Sequence, residues 1–132
     1  MEISKILTAN DTGESGGHQA GFHIPRNCVH FFPGLPVTEL NPREIISFKD
    51  LDKKQWNLNF IYYNNRRFGG TRDEYRLTGT TKYINRYGLK KGDAITLSRE
   101  EGNYHISHSK TNTNIEKKPV IRLSNKWKVI RI

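Results

Sequence analysis

The 132 residues contain a single cysteine, Cys28. No internal disulfide can form, and a reducing cytosol or nucleoid is the natural setting. Cys28 itself reads as a small buried hydrophobe. No apolar run approaches the roughly 20 residues that a membrane span needs. No basic amphipathic helix is visible, so membrane-surface binding lacks its usual device. The first twenty residues are polar and lack the apolar region of a secretion signal. Apolar residues make up only 34% of the chain, while Gly and Pro together number 16. That balance favours short elements joined by many turns. The length fits one domain, residues 1–132, able to bury a real core.

Catalytic signatures are also missing. No G-K-[ST] follows the glycines of residues 9–19, which excludes a Walker loop. No Ser/His/Asp or Cys/His arrangement stands out. Glu116-Lys117-Lys118 matches the E-x-K half of a metal-dependent nuclease motif. Yet no Pro-Asp pair occurs, and a polar linker is a poor place for a preorganised Mg²⁺ site. His105 and His108 sit three apart on an expected strand and so face opposite sides, against a shared metal site. The expectation is a chain that is not catalytic alone, with no catalytic residue, metal or cofactor.

What the chain does have is positive charge. The formal net charge is +9, a field that recruits polyanions, with nucleic acid first among them. The charge is concentrated. Residues 1–63 carry six Lys/Arg against seven Asp/Glu, and residues 64–91 carry eight against two. Residues 92–109 carry one against three, and residues 110–132 carry seven against one. Solvated lysine-rich faces are the bland alternative.

Hydrophobic periodicity and turn residues place strands at 2–8, 20–24, 43–48, 55–63, 72–77, 93–99, 104–108, 120–123 and 128–132. Trp56, Leu58, Phe60 and Tyr62 alternate with Asn57, Asn59, Ile61 and Tyr63, which makes 55–63 the clearest strand. Trp56 and Trp127 read as core. Residues 26–32 predict one or two helical turns, and 80–87 a short helix closed by Gly88. Residues 9–19 and 64–71 read as polar loops, and 110–118 as a linker. The fold class is mainly β, a barrel or pseudobarrel of about seven or eight strands with one or two short helices.

On a strand, Arg72, Glu74 and Arg76 project to one face. Arginine donates two hydrogen bonds to guanine O6 and N7, and glutamate accepts from the cytosine amino group. Such a face suits adjacent G·C pairs read in the major groove. The structural alternative is a salt-bridge ladder on a solvated surface. In the early loop, Gly13, Gly16 and Gly17 permit close backbone approach. Asn10, Thr12 and Ser15 offer hydrogen bonds to phosphate, and His18 and Gln19, with Asn10, offer contacts to base edges. Lys5, Arg66, Arg67 and Lys82 are the expected phosphate-holding cations. Tyr62, Tyr63, Phe68, Tyr83 and Tyr87 are the stacking groups that a non-specific or RNA-binding barrel would use.

Two long stretches carry a resemblance. LTANDTGESGGHQAGFHIP at 7–25 and IYYNNRRFGGTRDEYRLT at 61–78 resemble the N-terminal effector-DNA-binding domain of EcoRII-type restriction endonucleases. GLKKGDAITL at 88–97 is similar to a turn of the wider B3-like DNA-binding pseudobarrels of plant transcription factors. The matches touch most of residues 5–100, and the last thirty match only in strand character. The resemblance implies a seven-stranded pseudobarrel gripping the major groove with two arms, residues 9–19 and 64–76. It places base readers on Arg72, Glu74 and Arg76, with His18 in the other arm. Gly70 and Tyr75 stand where the restriction-enzyme domain carries lysines, which leaves the target sequence open. So are the oligomeric state, with a monomer the default, and the presence of a nuclease domain, fused or separate. A free-standing DNA-binding regulator and a small Mg²⁺-dependent nuclease are the alternatives.

Overall fold

The computed structural model describes residues 1–16, 21–111 and 127–130. Among them lie eight strands: β1 Glu2–Ile6, β2 Phe22–Ile24, β3 Arg43–Lys49, β4 Gln55–Tyr63, β5 Glu74–Thr78, β6 Ala94–Glu100, β7 Asn103–Ser109 and β8 Lys128–Ile130. Two short helices, α1 Ala9–Thr12 and α2 Thr81–Arg86, and 3-10 turns at Arg26–Phe31 and Asn65–Phe68 complete the described elements.

The strands form one sheet in the order β2-β5-β4-β3-β7-β6-β1-β8. It consists of two antiparallel halves, β2-β5-β4-β3 and β7-β6-β1-β8. A short parallel contact, Phe48 opposite Tyr104 and Lys49 opposite His105, joins them. The sheet curls so that its two outermost strands meet. Trp127, just before β8, packs edge-on against Phe22 of β2 with ring centroids 6.1 Å apart. Its Nε1 donates to the carbonyl of His23 at 3.0 Å. The curl encloses Ile3, Phe22, Phe48, Phe60, Leu77 and Leu97, none with measurable exposure.

The period-two pattern of residues 55–63 is realised in β4. Trp56, Leu58, Phe60 and Tyr62 point into the core, and Cys28 and Trp127 are buried too. The β3–β4 turn is built around Asp50. Its carboxylate accepts from the amides of Asp52 (2.9 Å) and Lys54 (2.8 Å), from Trp56 Nε1 (2.9 Å) and from the Tyr87 hydroxyl. This ties the hairpin to the end of α2. After that helix Gly88 N donates to Asn85 O and Leu89 N to Ile84 O, closing its C-terminus as the sequence predicts.

Three expectations change. The fold has eight described strands, one more than the seven implied by the resemblance, because β8 pairs with the outer side of β1. Residues 9–19 are not loop throughout. Thr8 and Asp11 form a reciprocal cap, each side chain bonding the other's amide, and this nucleates α1. The strand expected at 72–77 begins only at Glu74, because Arg72 belongs to the loop before it. The strand expected at 120–123, most of the linker at 110–118 and the Glu116 motif lie outside the described residues.

Candidate nucleic-acid interface

β5 sits between β2 and β4, with Arg76 opposite both His23 and Ile61, and Glu74 opposite Tyr63. Tyr75 and Leu77 turn the other way, into the core side. The outer face therefore presents Glu74 and Arg76, and Arg72 joins them from the preceding loop. Glu74 holds both guanidinium groups. Arg72 Nε donates to its Oε2 at 3.1 Å, and Arg76 Nε donates to its Oε1 at 2.8 Å. The side chains of Arg72, Glu74 and Arg76 are 40%, 26% and 20% exposed. Because both bonds to Glu74 use Nε, the forked ends of the arginines are directed past it. Arg76 also donates from one terminal nitrogen to Gly21 O at 3.4 Å. Arg72 lies over Tyr63, its guanidinium carbon 3.8 Å from the ring centre. Partial burial acts to raise the pKa of Glu74, but Arg76 and then Arg72 outweigh it and hold the carboxyl below its ordinary value. Glu74 is thus an ionised acceptor between two oriented donors.

The two arms are anchored differently. In the second arm, Asn64 is fully buried. It bonds the backbone of Val37, Glu39 and Asn41 through its side chain. Asn65 Oδ1 accepts from the Arg72 amide at 2.7 Å, and Arg66 N donates to Arg72 O at 2.9 Å, so the loop is closed at its base. Asp73 points away from the face of Glu74 and Arg76. It accepts from the Tyr62 hydroxyl at 2.6 Å and from Arg26 at 2.7 Å, with Arg66 at 3.9 Å. These bonds, Tyr62 first, lower its pKa. Behind it Phe32, Phe60, Tyr75 and Tyr62 form a continuous stack, with centroid spacings of 4.3, 5.6 and 4.1 Å. Arg26 covers the end of that stack.

The first arm leaves β1 through α1 and returns at Gly21. A Cβ on Gly21 would fall 2.3 Å from Leu77 O, and its φ is +81°, so this close approach to β5 requires glycine. Glu14 accepts from the Lys91 amide at 2.7 Å and docks the arm on the turn before β6.

The predicted site residues divide as follows. Arg72, Glu74 and Arg76 come together on one face, with His23 added across the strand. Arg66 is exposed in the second arm, Arg67 beside it donates to Val37 O at 3.0 Å, and Lys82 is exposed on α2. Asn10, Thr12 and Ser15 lie on and just after α1, where Ser15 Oγ donates to Asn10 Oδ1 at 3.3 Å. His18 and Gln19 lie outside the described residues. Lys5 departs from its expected role. Its side chain is only 9% exposed and its ammonium pairs with Asp11 at 2.8 Å, so it fastens α1 to β1 instead of facing a phosphate. Among the stacking alternatives, Tyr83 is buried and Tyr62 is committed to the inner stack, while Phe68 is exposed. Tyr75, one of the two positions where the resemblance implies lysines, faces that stack and not the face of Glu74 and Arg76.

His23 escaped the sequence reading because its proximity to Arg76 is a cross-strand relation between residues 53 positions apart. Desolvation and then the charge of Arg76 hold its pKa below the ordinary histidine value. The structural roles of Asn65 and Asp73 likewise have no sequence signature. Among the described residues no group of three His, Cys, Asp or Glu side chains is placed to hold a metal ion. Nor is any helix among them long and apolar enough to cross a membrane.

A curled sheet closed edge to edge, with two arms beside β5, has the B3-like pseudobarrel fold. The DNA-bound FUS3 structure from Arabidopsis superposes with a TM-score of 0.63 over 83% of this chain and 96% of that one, at 24% identity. The sequence model described as "Restriction endonuclease EcoRII, N-terminal" matches residues 2–95, and the chain belongs to that family. The Escherichia coli type II restriction enzyme EcoRII is 41% identical over 97 residues, which cover 70% of this chain and 24% of the enzyme. Auxin response factor 10 of Oryza sativa subsp. indica is 31% identical over 106 residues, covering 79% of this chain and 14% of that protein. The chain thus corresponds to about a quarter or less of these relatives' length.

Proposed function

We propose that this chain binds double-stranded DNA in the major groove and recognises a short site containing G·C pairs, as the effector or target-recognition domain of an EcoRII-like restriction system. The observation that carries this is the Arg72–Glu74–Arg76 fork. One ionised carboxylate orients two arginines on a single outward, half-buried face at the start of β5, the donor and acceptor set that G·C edges require. Arg72 and Arg76 read guanine, and Glu74 accepts from a cytosine amino group. Asn10, His18 and Gln19 add base contacts from the other arm.

Arg66, Arg67 and Lys82 hold phosphates, with Thr12 and Ser15 supplying neutral hydrogen bonds. Lys5 is omitted because its charge is neutralised by Asp11. The domain binds as a monomer in the reducing cytoplasm, at the nucleoid, and leaves cleavage to a nuclease domain, fused or separate.

Selection of bound duplexes from a randomised library tests this, at roughly 0.15 M salt so that unspecific phosphate attraction is damped. Enrichment of one short site with adjacent G·C pairs is the expected result. Tight binding with no enriched sequence would keep the DNA partner and overturn the reading role of the fork.

A further inference from the structure

Gly70 has no left-handed backbone to account for it, since its φ lies outside the positive region. It is glycine for another reason. A Cβ there would fall 2.5 Å from Asn65 Oδ1 and 2.7 Å from Asn65 Cγ. The side chain of Asn65 therefore occupies the space that any other residue at 70 would need. That side chain is held over Gly70 because Oδ1 accepts the Arg72 amide at 2.7 Å, while Gly70 N donates to Asn65 O, also at 2.7 Å. The three residues form one closed unit. Its output is the direction in which Arg72 leaves the loop, since Arg72 lies before the first residue of β5 and the β4–β5 ladder does not reach it. Arg76, in contrast, sits within the strand and is fixed by ladder pairs on both sides.

We propose that Asn65 and Gly70 are a positioning pair for Arg72, and that recognition at the base pair Arg72 reads depends on them while recognition at Arg76's pair does not. The proposal rests on the DNA-reading assignment above and adds a division of labour to it. One arginine is aimed by a strand and the other by a side-chain-to-backbone lock. The same lock sets a limit on the arm: a longer side chain at position 70 gains a reach toward DNA only by displacing Asn65.

The test is a double-mutant cycle read as base preference, on the full chain and the selected duplex with its single-pair variants. Asn65→Ala removes the acceptor, and Gly70→Ala drives a methyl group into it. Each is expected to lower discrimination at Arg72's pair by roughly tenfold, within the range of one bidentate contact, and to leave Arg76's pair unchanged. In the Asn65→Ala background, Gly70→Ala should add little to the loss at Arg72's pair, because the acceptor it would displace is already gone and the closest contact left, Cβ at 3.1 Å, asks a shift of only a few tenths of an ångström. Asn65→Asp keeps the acceptor. It should retain the base preference even though the added negative charge weakens binding to all duplexes.

Equal loss at both base pairs in Asn65→Ala, or additive effects in the double variant, would overturn the proposal and leave the reading fork standing. If instead Arg72→Ala and Arg76→Ala both leave base preference intact on the parent chain, the reading assignment itself fails. The two failures are therefore distinguishable.

Discussion

Trp127 Nε1 donates to the carbonyl of His23 across 104 positions of sequence, and with this bond the two ends of the sheet order meet. β2 carries His23 onto the reading face and also receives the returning first arm at Gly21. The seam that closes the barrel is thus also the support of one side of the proposed DNA-facing surface. Lys5 reinforces it, with its ammonium 6.0 Å from the ring centres of both Phe22 and Trp127 while pairing with Asp11.

Trp127→Ala removes both the ring and the donor. By analogy with other large-to-small core changes it should destabilise the domain by about 3–5 kcal/mol. Trp127→Phe keeps an aromatic ring and leaves the His23 carbonyl without its donor, so a loss nearer 1 kcal/mol is expected. Urea titration separates the two. Indistinguishable midpoints for Trp127→Phe and the parent would show that the hydrogen bond does not hold the seam.

Arg76→Ala should weaken binding to the selected site by about 1–3 kcal/mol, with the loss concentrated on one base pair. Glu74→Ala should relax two positions at once, because the same carboxylate orients both arginines. Competition among duplexes that differ at single positions measures this directly. A Glu74→Ala variant with a one-position effect, the same in extent as either arginine change, would show that the arginines hold their geometry without it.

Phosphate contacts carry a different signature. Lys82 is exposed on α2, and Arg66 is 70% exposed in the second arm. Replacing either by alanine should weaken all sequences alike and reduce the slope of log K against log salt by about one. Lys5→Met is the contrasting control. Its charge is already paired inside the fold, so it should change stability and leave the salt slope near that of the parent. A fall of about one in the Lys5→Met slope would return Lys5 to the phosphate-binding set.

Most of the β framework was legible in sequence, because alternation in residues 55–63 and the turn residues between strands reflect the same one-sided burial seen in the sheet. The placing of Glu74 and Arg76 on one face was legible for the same reason, whereas Arg72 joins them from the loop, where period two does not apply, through its bond to Glu74. Side-chain relations were not legible. Nothing in the sequence pairs Lys5 with Asp11, places Asn65 against Gly70, or sets His23 beside Arg76. The first two depend on how the chain folds back over five or six residues, and the third on the pairing of two strands far apart in sequence. Tyr75, where the resemblance implies a lysine, shows the same limit: only the strand register reveals that this residue faces the Tyr62 stack and not the face of Glu74 and Arg76.

Asp50 is the point at which acid should attack the fold. Burial alone would raise its pKa. Hydrogen bonds from the Tyr87 hydroxyl, Trp56 Nε1 and the Lys54 and Asp52 amides outweigh that effect and bring it down to about 2 from an ordinary 3.8. Between those two values the unfolded chain binds a proton that the folded chain refuses. The stabilisation is therefore complete above pH 4 and is lost as pH falls toward 2, amounting to roughly 2 kcal/mol when one pKa unit is worth about 1.4. Asp50→Asn removes the charge and places amide hydrogens against groups that are themselves donors. At neutral pH it should destabilise the domain by about 2–3 kcal/mol, with α2 and the β3–β4 turn loosened together. Its stability should also fall less steeply between pH 4 and 2 than the parent's. Parallel pH profiles for the two proteins in that window would show that Asp50 does not control the acid transition.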